Sequence, residues 1–200
     1  MTKIKICGLF RQEDAEYVNK FMPDYAGFVF YPPSKRNVSK DKAKEIKKLI
    51  DKKIKTVGVF VDSNIDFCVD LCKNSIIDVV QLHGNEDENY ICALRQKTNA
   101  PIIKAFKIKD ENDIETAEKS SADYILLDYG MGEGKSFDWN LLEKINREYF
   151  LAGGLDCKNI AKAVKVLKPF AVDVSSGVET NGVKDENKIK TFIETVRKDY

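Results

Sequence analysis

Cys7 ends a short apolar run, Ile4–Cys7, and Gly8 follows it at once. Lys5 stands two residues earlier, and on an extended strand such a pair shares a face. An ammonium beside a thiol lowers its pKa, so this pattern could supply a thiolate base near neutral pH. Position alone also allows a buried thiol that packs as a small hydrophobe. Asp128 follows the apolar stretch Tyr124–Leu127, where a carboxylate either caps a helix or exchanges protons. A base and an acid flanking one small molecule suit proton transfer between its carbons or heteroatoms. Arg36 lies in Tyr31-Pro32-Pro33-Ser34-Lys35-Arg36-Asn37-Val38-Ser39, a long loop stiffened by two prolines. Its guanidinium could grip a carboxylate with two hydrogen bonds, or could simply be a solvated charge beside Lys35.

Two further stretches have the chemistry of an anion site. Tyr149-Phe150-Leu151-Ala152 runs into Gly153-Gly154-Leu155, and Phe170-Ala171-Val172-Asp173-Val174 runs into Ser175-Ser176-Gly177. In each, an apolar run stops at a small, glycine-bearing turn before an amphipathic helical pattern. Glycine lets backbone come close to a ligand, and the amides opening the next helix favour negative charge. Two such junctions in consecutive units suit a phosphate.

Other residues carry less. His83 is the only histidine and ends an apolar run, which fits a site role or a local hydrogen bond. Cys68 and Cys72 are four apart on a helical pattern without further ligands to complete a metal set, so packing is expected. Gly130-Met131-Gly132-Glu133-Gly134-Lys135 lacks the spacing and hydroxyl residue of a P-loop and reads as a loop over the site.

The elements that must position these groups repeat. Apolar runs begin near Lys3, Tyr25, Lys55, Asp78, Pro101, Asp123, Glu148 and Phe170, 22 to 30 residues apart. They are short and poorly alternating, as strands covered on both faces should be. The spacing predicts strands at Ile4–Cys7, Ala26–Tyr31, Thr56–Val61, Val79–Leu82, Ile102–Phe106, Tyr124–Leu127, Phe150–Ala152 and Ala171–Val174. Helical patterns lie between them. Ser39 precedes Lys40–Lys53, with Ala43, Ile46, Leu49 and Ile50 on one face. Asn85 or Glu86 opens Glu88–Lys97, with Tyr90, Ile91 and Leu94 inward; Asp138 precedes Trp139–Ile145. Asp156 precedes Ile160–Leu167, and Lys184-Asp185 opens a last helix facing inward through Ile189, Phe192, Ile193 and Val196.

Eight strand–helix units give an α/β fold with a parallel sheet, and eight units allow closure into a (β/α)8 TIM barrel. An open doubly wound sheet remains compatible with the same periodicity. Residues 1–200 are expected to form one domain, because no linker or composition break divides them. In a barrel, the candidate residues all fall at the C-terminal ends of strands, where reactive groups sit. The first and sixth strands lie nearly across from each other, so Cys7 and Asp128 could flank a ligand.

Bulk properties narrow the partners. Lys+Arg at 33 against Asp+Glu at 32 leaves a net charge of +1, which gives no general attraction to nucleic acid or anionic membrane. No apolar run approaches membrane-spanning length, the opening residues are too polar for a secretion signal, and five scattered cysteines suit reduced thiols. These features together lead us to expect a cytoplasmic protein. Its oligomeric state stays open.

Taken together, the chain resembles the phosphoribosylanthranilate isomerase family, barrel enzymes of tryptophan biosynthesis. The resemblance rests on Lys5-Ile6-Cys7-Gly8-Leu9, Ser34–Ser39, Val80-Gln81-Leu82-His83-Gly84 and Leu127-Asp128 followed by Gly134-Lys135-Ser136-Phe137-Asp138-Trp139. It continues through Leu151-Ala152-Gly153-Gly154-Leu155 and Val172–Glu179, with Gly182 and Lys184-Asp185. These pieces run in family order from residue 3 to residue 185.

The resemblance implies an Amadori rearrangement of N-(5-phosphoribosyl)anthranilate to 1-(2-carboxyphenylamino)-1-deoxyribulose 5-phosphate, without metal or cofactor. Asp128 would protonate the furanose ring oxygen, and Cys7 as thiolate would remove the C2 proton. Arg36 would hold the anthranilate carboxylate, with His83 and Asp173 as further substrate contacts. Gly153, Gly154, Ser176 and Gly177 would bind phosphate. Phe10 replaces a small polar residue of the family pattern, and Met131-Gly132-Glu133-Gly134 replaces its Gly-Gly-Ser/Thr-Gly. Two rival readings use the same late glycine turns: a related phosphosugar isomerase, expected to work with paired carboxylates, and a non-catalytic barrel, which would need neither Cys7 nor Asp128.

Overall fold

A computed structural model describes residues 1–129, 142 and 145–198. Eight parallel strands close into a barrel in chain order. They are β1 (Lys3–Cys7), β2 (Tyr25–Phe30), β3 (Lys55–Phe60), β4 (Val79–Leu82), β5 (Ile102–Lys107), β6 (Tyr124–Asp128), β7 (Tyr149–Ala152) and β8 (Ala171–Val174). Each lies within one residue of the bounds expected from sequence at both ends. Pairing of β1 with β8, in the register Lys5 to Asp173, closes the ring and excludes the open sheet.

The alternation along each strand divides the apolar residues into two sets. Tyr25, Val57, Val79, Ile103, Leu126, Phe150 and Ala171 fill the inside of the barrel. Their neighbours along the strands, such as Ile4, Ile6, Phe28, Val80, Ile125 and Val172, pack outward against the helices. That double burial explains why the runs read as nearly continuous hydrophobics.

The described helices are α1 (Gln12–Phe21), α2 (Lys40–Leu49), α3 (Ile65–Lys73), α4 (Glu88–Arg95), α5 (Glu111–Glu118), α6 (Ile160–Leu167) and α7 (Glu186–Val196). Ser39, Asn64, Asp87, Asp110 and Asp185 cap five of them by accepting backbone amides. The cap of α4 is thus Asp87, not Asn85 or Glu86. Glu86 turns inward, where it accepts from the Asp62 and Gly84 amides and from the Lys104 ammonium, all within 2.9 Å. The expected α2 also ran too long: the helix stops at Leu49, which is exposed, and Ile50 takes the buried place. Tyr90, expected inward, is only partly buried, whereas the inner face of α7 is as expected. Cys68 is fully buried beside the Tyr90 hydroxyl, as packing requires.

Between β8 and α7 the chain makes a 3-10 turn, Ser176–Val178, and then a small hairpin of β9 (Glu179–Thr180) and β10 (Val183–Lys184). Asn181 and Gly182 form its tip with φ of 53° and 81°, the left-handed pair of a type I′ turn. Gly130–Lys135 and the Asp138 cap, with most of the expected Trp139–Ile145 helix, lie outside the described residues. Among the described residues, no helix is long and apolar enough to cross a membrane.

Candidate active site

The β1–β8 seam sets the first half of the site. Lys5 and Asp173 are register partners on adjacent strands and point the same way, so the ammonium lies 2.9 Å from both carboxylate oxygens. Burial pulls the Lys5 pKa down, but Asp173 and Cys7 more than offset it and the net shift is upward. Cys7 stands one alternation further along β1, opposite Gly27 on β2. A Cβ at Gly27 would come within 2.9 Å of the Cys7 Sγ, so the thiol occupies space that only a glycine leaves. Burial pushes the Cys7 thiol up, Lys5 pulls it down, and Asp173 pushes it up again. The net direction is upward, opposite to the thiolate expected from Lys5 alone. The physical reason is first the burial of the thiol, which outweighs the pull of Lys5, and then the nearby charge of Asp173, which adds to it.

Arg36 lies over the same seam. A Cβ on Gly8 would meet its Cδ at 2.5 Å and the Ser175 Oγ at 3.1 Å, which places the β2 loop beside the ends of β1 and β8. Arg36 grips a carboxylate with two hydrogen bonds, but that carboxylate belongs to Glu179 of the hairpin: Nε to Oε1 at 2.6 Å and Nη2 to Oε2 at 2.7 Å. The solvated-charge reading is therefore wrong. A guanidinium held along its Nε–Nη2 edge still presents its Nη1–Nη2 edge, which can accept a second carboxylate. Lys184, cross-strand partner of Glu179, donates to the same Oε1 at 2.7 Å and to the Ser175 carbonyl at 3.0 Å. Burial pushes Glu179 up, but Arg36 and Lys184 together bring it below the usual carboxylate range. Burial pulls Lys184 below the usual lysine value despite Glu179.

The other half lies on β4 and β6. His83 Nε2 is 3.1 Å from the Asp128 Oδ2, and His83 Nδ1 is 3.0 Å from the Gln81 Nε2. Both side chains of this contact remain about one-quarter exposed, so Asp128 can reach a ligand from the mouth. His83 therefore sits at the site through Asp128.

The two late turns meet. A Cβ on Gly177 would stand 1.9 Å from the Leu155 carbonyl oxygen, so the β8 turn is pressed against the β7 turn. Gly153 has φ of 94°, and its missing Cβ would strike the Tyr129 carbonyl at 2.1 Å. Gly154 follows at φ 64° and is exposed. Ser176 and Gly177 open the 3-10 turn, whose first amides have no acceptor within it.

Residues 4–195 match the family model of N-(5'-phosphoribosyl)anthranilate isomerase. The chain belongs to the phosphoribosylanthranilate isomerase family. Among curated members, the N-(5'-phosphoribosyl)anthranilate isomerase of Endomicrobium trichonymphae is 52% identical over 203 residues, covering 98% of each chain. That of Clostridium acetobutylicum is 46% identical, covering 99% of each. The barrel superposes on the Thermotoga maritima phosphoribosylanthranilate isomerase crystal structure with a TM-score of 0.91 at 38% identity, covering 98% of this chain and 99% of that one. A second isomerase structure, 37% identical with a TM-score of 0.87 and covering 98% and 99%, holds reduced 1-(o-carboxyphenylamino)-1-deoxyribulose 5-phosphate.

Within this phosphoribosylanthranilate isomerase barrel, sequence reasoning passed over Gln81, which touches His83, and Glu179 and Lys184, which pair beside Arg36. Glu179 and Lys184 had a legible signal. They flank Thr180-Asn181-Gly182-Val183, and an Asn-Gly hairpin tip predicts that they pair across it. Phe10, the departure in the first loop, packs partly buried against the core beside the Arg11 guanidinium, 5.9 Å from its ring centroid.

Proposed function

We propose that this chain is the isomerase of tryptophan biosynthesis that converts N-(5-phosphoribosyl)anthranilate to 1-(2-carboxyphenylamino)-1-deoxyribulose 5-phosphate. The observation that carries this reading is the gathering at one barrel mouth of four things: a buried cysteine, a carboxyl group on β6, an arginine with a free edge, and paired glycine turns.

Each part takes one end of the substrate. The Gly153-Gly154 and Ser176-Gly177 turns receive the phosphate, and the open edge of Arg36 receives the anthranilate carboxylate. Asp128, protonated, gives its proton to the furanose ring oxygen as the C1–O bond breaks. The nitrogen lone pair then forms the C1=N bond of an iminium. Cys7 removes the C2 proton, and the C–H electrons form C1=C2 while the C=N electrons return to nitrogen. Cys7 then returns its proton to C1, and the C2 hydroxyl releases its proton to Asp128 as it becomes the ketone. Every group ends as it began.

The raised Cys7 pKa fits this order of events. An iminium is a cation, and a nearby cation favours thiolate. The acid step thus prepares the base: as the iminium forms, the Cys7 thiol gives its proton to solvent and becomes the thiolate that takes the C2 proton, and it regains a proton from solvent once the cation is gone. A substrate that carries both a phosphate and a carboxylate crosses no bilayer unaided, which favours the cytoplasm as the working compartment. The test is direct. Freshly made phosphoribosylanthranilate should lose its anthranilate-type fluorescence on mixing with the purified protein. Unchanged fluorescence at micromolar protein would rule the activity out.

A further inference from the structure

Gln81 and His83 lie two residues apart at the end of β4 and so share the inner face. Gln81 is 1% exposed, and its amide has one partner, the His83 Nδ1 at 3.0 Å. At the far side of the ring, Nε2 is 3.1 Å from Asp128 Oδ2. The other end of the amide, Oε1, is buried and has no partner among the described residues. An unpaired buried amide oxygen is costly, and most such atoms are satisfied. Among the described residues, no backbone amide or side chain bonds Oε1 and fixes which way the carboxamide points.

We propose that the orientation of the Gln81 carboxamide sets the tautomer of His83 and, through it, whether Asp128 holds a proton to donate. The proposal rests on the reading of Asp128 as the general acid. Two arrangements fit the same heavy-atom positions. With Nε2 of Gln81 facing the ring, it donates to Nδ1. The single proton of neutral imidazole then lies on Nε2 and is donated to Asp128, an arrangement that favours the carboxylate. With the amide turned by half a revolution, Oε1 accepts from Nδ1–H. The ring Nε2 is now the acceptor, and Asp128 must be the donor, a carboxylic acid.

The second arrangement holds one proton more than the first, taken from solvent or from the C2 hydroxyl at the end of the cycle. When Asp128 has given its proton away, its charge faces the bare lone pair of Nε2. Losing the Nδ1 proton to solvent, taking one from solvent at Nε2 and turning the amide relieves that repulsion, and the partly exposed ring can exchange with water. An amide's oxygen and nitrogen are nearly the same size, so the turn needs no extra room. An unanchored far end is what permits it; a hydrogen bond to Oε1 would hold one orientation and one tautomer. Gln81 touches no substrate and acts as a positioning residue.

His83 is the only histidine of the chain, so its ring nitrogens can be read without assignment ambiguity. Long-range proton–nitrogen NMR of the uniformly 15N-labelled protein reports which nitrogen bears the proton. Gln81→Met keeps the volume and removes both donor and acceptor; Gln81→Glu supplies an acceptor alone. The expected result is a ring proton fixed on Nε2 in the methionine variant and moved toward Nδ1 in the glutamate variant. With it, kcat should fall by about tenfold or more in the methionine variant, the kind of loss a wrong tautomer causes, while KM changes little. The glutamate variant should retain more turnover than the methionine one. An identical His83 tautomer in the wild type and both variants would overturn the proposal, and that measurement needs no activity. A kcat loss with the tautomer unmoved would overturn it too, by reducing Gln81 to packing. If Asp128→Asn keeps wild-type turnover while the tautomer still follows Gln81, the reading of Asp128 fails instead, and the catalytic half of the proposal with it.

Discussion

Lys5 and Asp173 face each other across the closing seam of the barrel, and the ammonium donates to both carboxylate oxygens at 2.9 Å. The pair is buried, with side chains 0% and 8% exposed. This relationship adds to the effect of burial on Cys7, because the Asp173 charge opposes the pull of Lys5 on the thiol. Breaking one partner of a buried pair typically costs about 3–5 kcal/mol, since the other charge is left alone. Asp173→Asn should therefore lower stability by an amount of that order in denaturant unfolding. It should also free Lys5 to act on the sulfur. Iodoacetamide should then modify Cys7 faster than in the wild type at the same neutral pH, followed on the Cys7 peptide by mass spectrometry. A slower or equal rate in a folded variant would show that Asp173 does not set the thiol.

The pH dependence of the free protein has a definite sign. Burial raises the Cys7 pKa above the ordinary 9.0, so the folded state binds this proton more tightly than the unfolded one. The stability from that group is complete below the unfolded value and is lost as pH rises through the folded one. Alkylation of wild-type Cys7 should accordingly still be accelerating at pH 9, where a free cysteine is already half ionised. A plateau reached below pH 8 would contradict the burial argument.

Cys7→Ser should leave the fold and ligand affinity nearly intact and remove most turnover. The hydroxyl is close in size but too weak an acid to serve as a base near pH 7. Loss of a general base costs about 10²–10⁴-fold in rate. Steady-state kinetics with near wild-type kcat would return Cys7 to the packing reading.

Arg36→Ala should raise KM far more than it lowers kcat, by the equivalent of about 1.5–3 kcal/mol for a charge-assisted hydrogen bond. Glu179 stays paired with Lys184 in that variant, so the hairpin should survive and thermal unfolding should change little. An unchanged KM would mean that the open edge of the guanidinium meets no carboxylate.

The glycine turns need two different variants. Gly177→Val would push a Cβ into a carbonyl oxygen 1.9 Å away, so we expect it to unfold or distort the β7–β8 contact and to say little about ligands. Gly154 is exposed at φ 64°, a conformation that asparagine tolerates. Gly154→Asn should keep its melting temperature within a few degrees while inorganic phosphate loses its ability to compete with substrate. Native phosphate competition in that folded variant would remove the β7 turn from the proposed anion site.

The barrel was legible because each strand is buried on both faces, so its apolar run has clear limits and its successors recur at one strand–helix interval. The places of Cys7, Asp128 and the glycine turns at the ends of their strands were legible because each closes an apolar run of known limits. What escaped was decided by register and by competition among charges. Lys5 reads as an activator of Cys7 until closure of the ring brings Asp173 beside it, a pairing that no local pattern announces. Glu86 reads as a cap, but Lys104 and two loop amides draw it inward. Gln81 looks like one polar interruption in an apolar strand; only His83 and Asp128 beyond it give it work. The Glu179–Lys184 hairpin was too short to show strand alternation, and its Asn-Gly tip was the sole local sign.

The seam has a consequence for how the protein comes into being. Lys5 leaves the ribosome early, and its partner lies 168 residues further along the chain. Until the eighth strand is made, that lysine must stay in water, because an unpaired ammonium inside a half-ring is prohibitive. The first strand therefore has reason to remain loose during synthesis and to seat only when the last arrives. Contacts so distant in sequence are slow to form. Arg36 waits on the same event, since Glu179 and Lys184 also emerge late. An incomplete chain thus possesses neither a settled thiol nor an oriented arginine, and chemical competence arrives in a single step with ring closure.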